Sequence, residues 1–249
     1  MTGRVLRGGQ WAAELQRHLP AGSLQQWMAS DCEVLKRDAH SLVALAELQR
    51  QPCYLKFYCP KSLLQRLTFR LGYSRAVDAF DKAVLLLAHD ISVPAPLACL
   101  RADDGLLLVT EGIDKARDLK RCWQDSDPLA PMLPAAAESV ARMHRAGFAH
   151  GDCKWSNLLW SEPRVYLVDL EAVKPCKPGS AAQWRDLARF TVNAEDMALP
   201  AADYEQFLAL YCQHMGIGRE TALAAMQGPL DSLRQRHKSK YGERGARLV

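Results

Sequence analysis

The spacing of apolar and polar positions changes repeatedly along the chain. Residues 1 to 30 set Trp11, Leu15, Trp27 and Met28 among polar neighbours, the pattern of a short helical or irregular lead-in. From residue 31 the period shortens to two. Glu33-Val34-Leu35-Lys36, Leu42 to Leu48 and Cys53 to Tyr58 predict three strands. Their links, Arg37 to Ser41 and Gln49 to Pro52, are short enough for an antiparallel meander. Lys61 to Ile91 then reads as helical and is ended by Pro94 and Pro96. Pro96 to Arg101 and Leu106 to Thr110 flank Asp103-Asp104-Gly105, a hairpin signal with an Asp-Gly turn. Residues 31 to 112 are therefore expected to form a five-stranded antiparallel sheet with a helical insertion at about 61 to 90.

Beyond residue 112 the period lengthens. Leu133, Ala137, Val140, Ala141 and His144 recur at helix spacing, with Gly147 placed to end the helix. Leu158 to Trp160 and Val165 to Asp169 predict two short strands, and helices follow at about 181–193, 201–215 and 218–236. The expected fold class is α+β with two lobes, a β-rich 1–112 and a mainly helical 113–249.

Composition narrows this picture. The 249 residues are 49% hydrophobic and 24% charged, which excludes a disordered chain. A net charge of +4, with the charges dispersed, gives no basis for a nucleic-acid partner. The longest apolar run, Ala83 to Ala88, falls far short of the ~20 residues a membrane span needs. The first twenty residues hold no apolar stretch of signal-peptide length. A soluble, cytoplasmic protein is expected. The eight cysteines include no CxxC pair and no zinc-ligand spacing, so reduced thiols are expected rather than disulfides.

The sharpest chemical signal is His150-Gly151-Asp152-Cys153-Lys154-Trp155-Ser156-Asn157, followed by the strand Val165 to Leu170. An Asp, a Lys two residues on and an Asn five residues on resemble the catalytic loop of the protein-kinase-like superfamily. Asp169, twelve residues past Asn157, stands where that superfamily has a metal-binding Asp. Phosphoryl transfer accounts for these residue types. A carboxylate orients the acceptor hydroxyl and takes its proton (Asp152), and oxygen ligands hold Mg²⁺ beside the phosphates (Asn157, Asp169). A cation meets the charge developing on the moving phosphoryl group (Lys154). Taken singly, Asp152 and Asn157 could be turn-stabilising loop residues and Asp169 a strand-end cap. The two segments in this order, after a helix and divided by a hairpin, favour the catalytic reading.

Lys56 lies mid-strand in an apolar run, unusual for a residue rarely buried without a partner. By itself it could face outward from a half-exposed strand; in the kinase-like reading it binds the α- and β-phosphates of ATP. Thr110-Glu111-Gly112-Ile113 closes the hairpin where a hinge would offer the backbone of Glu111 and Ile113 to adenine, although any strand end could read this way.

Leu35-Lys36-Arg37-Asp38, the strand with Lys56, Ser74-Arg75-Ala76, Ile91-Ser92-Val93-Pro94, Thr110-Glu111-Gly112 and HGDCKWSNLL with VDLEAV together resemble the lipopolysaccharide kinase (InaA/WaaP-type) family over about residues 31 to 190. The resemblance implies a bilobal kinase fold with ATP between the lobes and Mg²⁺ as cofactor. It implies phosphorylation of an inner-core lipopolysaccharide sugar, such as heptose, at the cytoplasmic face of the inner membrane. A monomer is expected. His150 would brace the loop, Asp186 would hydrogen-bond its backbone from below, and Trp155 and His144 would serve packing.

The sequence departs from the kinase pattern in places. Arg37 to Ser41 replaces a glycine-rich loop, though backbone N–H groups there could still cover the phosphates. The helix that should carry a Glu partner for Lys56 offers Asp78 and Asp81, with Ala79 in the matching register; Asp81 is the expected partner and Asp78 its rival. Asp169-Leu170-Glu171 replaces Asp-Phe-Gly, and no activation-loop anchor is visible. Two other readings stay open: a small-molecule or protein kinase of the aminoglycoside-kinase or RIO-like kind, and a membrane-associated pseudokinase scaffold. Between Lys56 and Arg75 the cations Lys61, Arg66 and Arg70 interleave with Leu63, Leu64, Leu67 and Leu71, the pattern either of a membrane-surface stretch or of an ordinary packed helix. The tail from Arg234 to Arg247 reads as a frayed helix end.

Overall fold

The computed structural model describes residues 4–19, 22–60, 74–102, 104–242 and 245–249. The chain divides into two compact units, one of residues up to Ala88 with Pro94–Asp114, the other of His89–Val93 with Lys115–Val249.

The first unit runs β1 (Arg4–Arg7), α1 (Gly9–His18), α2 (Leu24–Asp31), β2 (Glu33–Arg37), β3 (Ser41–Leu48), β4 (Gln51–Tyr58), α3 (Arg75–Leu87), β5 (Pro96–Arg101) and β6 (Leu106–Glu111). The strands form one antiparallel sheet in the order β1-β5-β6-β4-β3-β2. Period-two alternation divides its side chains between two faces. Leu42, Ala44, Cys53, Leu55, Phe57, Leu100 and Val109 face Ala12 and Leu15 of α1 and Leu24 and Met28 of α2. Tyr58, Cys99, Leu106 and Leu108 face Ala76, Val77, Ala79 and Phe80 of α3. The hairpin between β5 and β6 needs a glycine for space. A Cβ on Gly105 would stand 2.3 Å from the Tyr58 carbonyl oxygen and 2.6 Å from the Phe57 ring.

The sheet has six strands, not the five expected. β1 is four residues long with Val5 and Leu6 between arginines, too short to display alternation, and it is held by pairing with the edge of β5, Arg4 opposite Arg101. α3 is capped by Ser74, whose hydroxyl accepts the Val77 N–H at 3.2 Å. The basic stretch from Lys61 to Leu71 and Asp103 of the hairpin lie outside the described residues.

The second unit adds β7 (Arg117–Asp118), α4 (Leu119–Gln124), α5 (Met132–Arg145), β8 (Phe148–Ala149), β9 (Leu158–Ser161), β10 (Arg164–Leu167), β11 (Lys174–Pro175), α6 (Ala181–Asp196), α7 (Ala201–Met215) and α8 (Arg219–Tyr241). α5 packs on α7 and α6 on α8. His89–Val93 joins this unit through named contacts. The Leu167 N–H donates to the Ser92 carbonyl at 2.9 Å, and the His89 ring meets Phe148 edge-on at 5.2 Å. A linear boundary near residue 112 cannot express that. α8 continues to Tyr241, and the chain end folds back. Arg234 forks onto Glu195 at 2.5 and 3.0 Å, and the Leu248 N–H donates to the same carboxylate at 3.0 Å, so the tail is not the frayed helix end expected.

Among the described residues no helix is long and apolar enough to cross a membrane. The core of the second unit is aromatic, with Phe190 stacked on Phe207 at 3.9 Å between centroids. Phe207 is fully buried. Phe207→Ala is expected to lower unfolding stability by about 3–5 kcal/mol, read as a fall in denaturant midpoint at unchanged slope.

Candidate active site

The site of the second unit is built on helix α6. Its apolar side, Trp184, Leu187, Ala188 and Phe190, is buried. Its polar residues Gln183, Asp186, Arg189 and Asn193 recur every three or four positions and so share one face. Each of the four grips part of the segment from Phe148 to Trp155. Gln183 Nε2 donates to the carbonyls of His144 and Phe148 at 2.7 and 3.0 Å. The buried Asp186 carboxylate accepts the N–H groups of His150 at 2.5 Å and Gly151 at 2.8 Å. Arg189 Nη1 donates to Asp152 Oδ1 at 2.6 Å, and Asn193 Oδ1 accepts the Trp155 N–H at 3.1 Å.

Gly151 is required within this loop. It has φ +80°, and a Cβ would stand 2.6 Å from the Ala172 carbonyl oxygen. His150 Nε2 donates to the Val168 carbonyl at 3.0 Å while Nδ1 accepts the Asp152 N–H at 3.3 Å, which assigns the neutral tautomer. Burial lowers the His150 pKa and outweighs the opposing pull of Asp186, so the ring stays uncharged. The Cys153 thiol is buried and pushed up by that burial, leaving it unreactive.

Asp152 is the most contacted carboxylate of the loop. Lys154 Nζ lies 2.7 Å from Oδ2, Arg189 2.6 Å from Oδ1, and Asn157 Nδ2 donates to Oδ2 at 3.1 Å and to the Asp152 carbonyl at 2.9 Å. Burial alone would raise the Asp152 pKa. The hydrogen bond and charge of Lys154, with Arg189 and Asn157, outweigh it and hold the carboxylate below its ordinary range.

The same backbone carries Asp169. The Val168 N–H donates to the Asn157 carbonyl at 3.0 Å, and the Val168 carbonyl accepts from His150. Val168 is thus clamped on both sides, and the next residue, Asp169, turns left-handed at φ 62°, ψ 55°. Asp tolerates that region better than most residues. Its carboxylate is exposed, and Glu171 follows in a 3-10 turn over Leu170–Ala172. Among the described residues no cluster of three or more His, Cys, Asp or Glu is poised to hold a metal. Asn157 and Asp169 nevertheless suit Mg²⁺ chemically. With Nδ2 engaged by Asp152, Asn157 has its amide oxygen to offer, and Asp169 offers a carboxylate, both hard oxygen donors.

In the first unit Lys56 sits mid-β4 opposite Val43 and Leu108, half-buried, its ammonium 5.1 Å from the Tyr58 ring centre. The partner of Asp81 is Arg7, whose guanidinium donates to both carboxylate oxygens at 2.8 and 3.0 Å. This corrects the expected pairing with Lys56. Asp78 pairs with Lys82 at 2.8 Å. Asp78 and Asp81, three apart, lie on the exposed face of α3, whereas Ala79 is on the buried face. Glu111 exchanges two 2.9 Å hydrogen bonds with Ala95, its N–H to the Ala95 carbonyl and its carboxylate from the Ala95 N–H, and Ile113 follows two residues on. At the β2–β3 turn the Asp38 carboxylate takes the N–H groups of His40 and Ser41, each at 2.8 Å. Those amides are therefore not the phosphate cover that the turn was expected to offer.

Of the α6 face, Asp186 was legible beforehand. Gln183, Arg189 and Asn193 were not, though polar residues repeating at helical spacing within an apolar helix were a readable sign. Asp186→Ala would orphan the buried His150 N–H at about 1–3 kcal/mol and the part-buried Gly151 N–H at less. Faster hydrogen exchange at the His150 and Gly151 amides, with a lowered melting temperature, is the expected result.

Residues 25–211 match the family model of the lipopolysaccharide kinase (Kdo/WaaP) family. The chain is 26% identical to the 3-deoxy-D-manno-octulosonic acid kinase of Vibrio parahaemolyticus over 117 residues, 45% of this chain and 48% of that protein. It is 30% identical to the lipopolysaccharide core heptose(I) kinase WaaP of Pseudomonas aeruginosa over 157 residues, 55% of this chain and 58% of that protein. It thus spans about half the length of these curated relatives. A solved structure of WaaP in complex with acyl carrier protein matches with a TM-score of 0.62 at 19% identity, covering 96% of this chain and 99% of that one. The fold is α+β and protein-kinase-like, as expected. Because the family model matches residues 25–211, well over half of the chain, the chain belongs to the lipopolysaccharide kinase (Kdo/WaaP) family.

Proposed function

We propose that this chain is an ATP- and magnesium-dependent kinase that phosphorylates a sugar hydroxyl of the lipopolysaccharide inner core. The observation that carries this reading is the Asp152 carboxylate, fixed among Lys154, Arg189 and Asn157 on the backbone that also carries Asp169. A pseudokinase scaffold has no chemical need of that arrangement. Asp152 orients the acceptor hydroxyl and takes its proton. Lys154 offsets charge on the moving phosphoryl group. Lys56 holds the α- and β-phosphates, and the backbone of Glu111 and Ile113 meets adenine. Asn157 and Asp169 hold magnesium, which when bound neutralises phosphate charge.

Heptose is the acceptor favoured here. The match to the Vibrio enzyme supports a second reading, a 3-deoxy-octulosonate acceptor. Either sugar is lipid-linked, so the enzyme works at the cytoplasmic face of the inner membrane.

Magnesium-ATP is expected to raise the melting temperature of the native chain by mass action, and Asp169→Ala is expected to lose the magnesium-dependent part of that rise. No rise at millimolar nucleotide would remove the kinase reading. With γ-labelled ATP, label is expected on purified heptose-bearing lipopolysaccharide and not on lipopolysaccharide truncated to 3-deoxy-octulosonate. Label on both would favour the second acceptor, and label on protein alone would point to a protein kinase.

A further inference from the structure

The carboxylate of Asp152 has about four lone-pair positions, two on each oxygen. Oδ2 receives two donors, Lys154 Nζ at 2.7 Å and Asn157 Nδ2 at 3.1 Å. Oδ1 receives one, Arg189 Nη1 at 2.6 Å. The two oxygens therefore differ: Oδ2 is saturated, and Oδ1 keeps a position for another hydrogen bond.

The donors differ too. Lys154 and Asn157 lie two and five residues along the same loop and move with it. Among the described residues, Arg189 is the group that reaches this carboxylate from a different element. It stands on α6 between Asp186 and Asn193, which hold the loop backbone on either side of Asp152. Its Nε is buried with no hydrogen-bond partner among the described residues, and its Nη1 donates to the carboxylate. The single Nη1–Oδ1 bond starts from a helix anchored by its buried side, whereas Lys154 approaches on a flexible stem from the loop itself.

We propose that Oδ1 of Asp152 is the atom that receives the acceptor hydroxyl, and that Arg189 is the positioning residue that aims it. Arg189 acts through Asp152 and touches neither ATP nor sugar. The inference rests on Asp152 being the residue that meets the acceptor. In the transfer step the hydroxyl oxygen bonds to the γ-phosphorus as the bond to the β–γ bridging oxygen breaks. The hydroxyl proton passes to Oδ1, and ADP leaves with the bridging oxygen. Arg189 keeps its proton throughout.

The test uses the full chain, γ-labelled ATP and purified heptose-bearing lipopolysaccharide. Arg189→Gln is expected to lower kcat about 10²-fold, the scale of an ångström misplacement, with KM for ATP within about twofold of native. Arg189→Lys, which restores a donor cation without the planar guanidinium, is expected to recover about tenfold of that loss. Arg185→Gln, a change at an exposed position of the same helix, is expected to match the native enzyme. A kcat for Arg189→Gln within about threefold of native would overturn the proposal, as would a KM for ATP rising in step or a lysine variant no better than glutamine. Should Arg189→Gln fail to fold, the kcat and KM of Arg189→Lys decide by the same criteria. If the native chain labels neither lipopolysaccharide, the acceptor assignment fails and crystal structures of native and Arg189→Lys protein decide this proposal separately. An Asp152 carboxylate rotated or split between rotamers in the variant upholds it; an unmoved carboxylate overturns it.

Discussion

One buried carboxylate organises the second unit. Between β8 and the 3-10 turn at Trp155–Asn157 the backbone follows no regular ladder, and each amide there still needs a partner. Asp186 takes two of those amides at once, from a helix already fixed by its aromatic side. Without that pair of bonds, Gly151 would have no reason to hold a left-handed conformation against Ala172, and Asp152 would have no fixed origin from which to extend its side chain.

Order passes from there to the next segment through His150. Its neutral ring joins Asp152 to Val168, and Val168 is joined in turn to Asn157. Two chain segments, the loop 150–157 and the strand end at Val168, are thus locked by hydrogen bonds among uncharged groups. Among the ionisable groups, Lys154, Arg189 and Asp152 are partly exposed and Asp169 is exposed, with the Asp186 carboxylate as the buried exception. This division is physically sensible, because a buried amide network is rigid when fully paired, whereas charges keep their strength and exchange partners best where water reaches them. The first unit solves a different problem. Its sheet is covered on both faces, by α1 and α2 on one and α3 on the other, so a mid-strand Lys56 sits in a stiff scaffold with its stem along apolar neighbours.

Much of this was legible in the sequence because it depends on local spacing. Alternation gave β2 to β6, and the Asp152–Lys154–Asn157 spacing with a later Asp169 gave the loop chemistry. What escaped was set by long-range partners. β1 is too short to alternate and exists through its pairing with β5. Asp81 carried the right charge on the right helix, but its rotational position gave it to Arg7. Asp38 looked like a turn residue and in fact consumes the amides of its turn. Arg189 lies 37 residues from Asp152, too far in sequence for any motif to join them.

The polar face of α6 also acts as a ruler. From Gln183 to Asn193 the helix rises about 15 Å in fixed steps, and the loop from Phe148 to Trp155 is attached at four successive marks. A helix cannot lengthen by a fraction of a turn without swinging its residues to another side. The loop can therefore change its side chains but not its residue count. Variation in length belongs at exposed turns such as the one between β9 and β10.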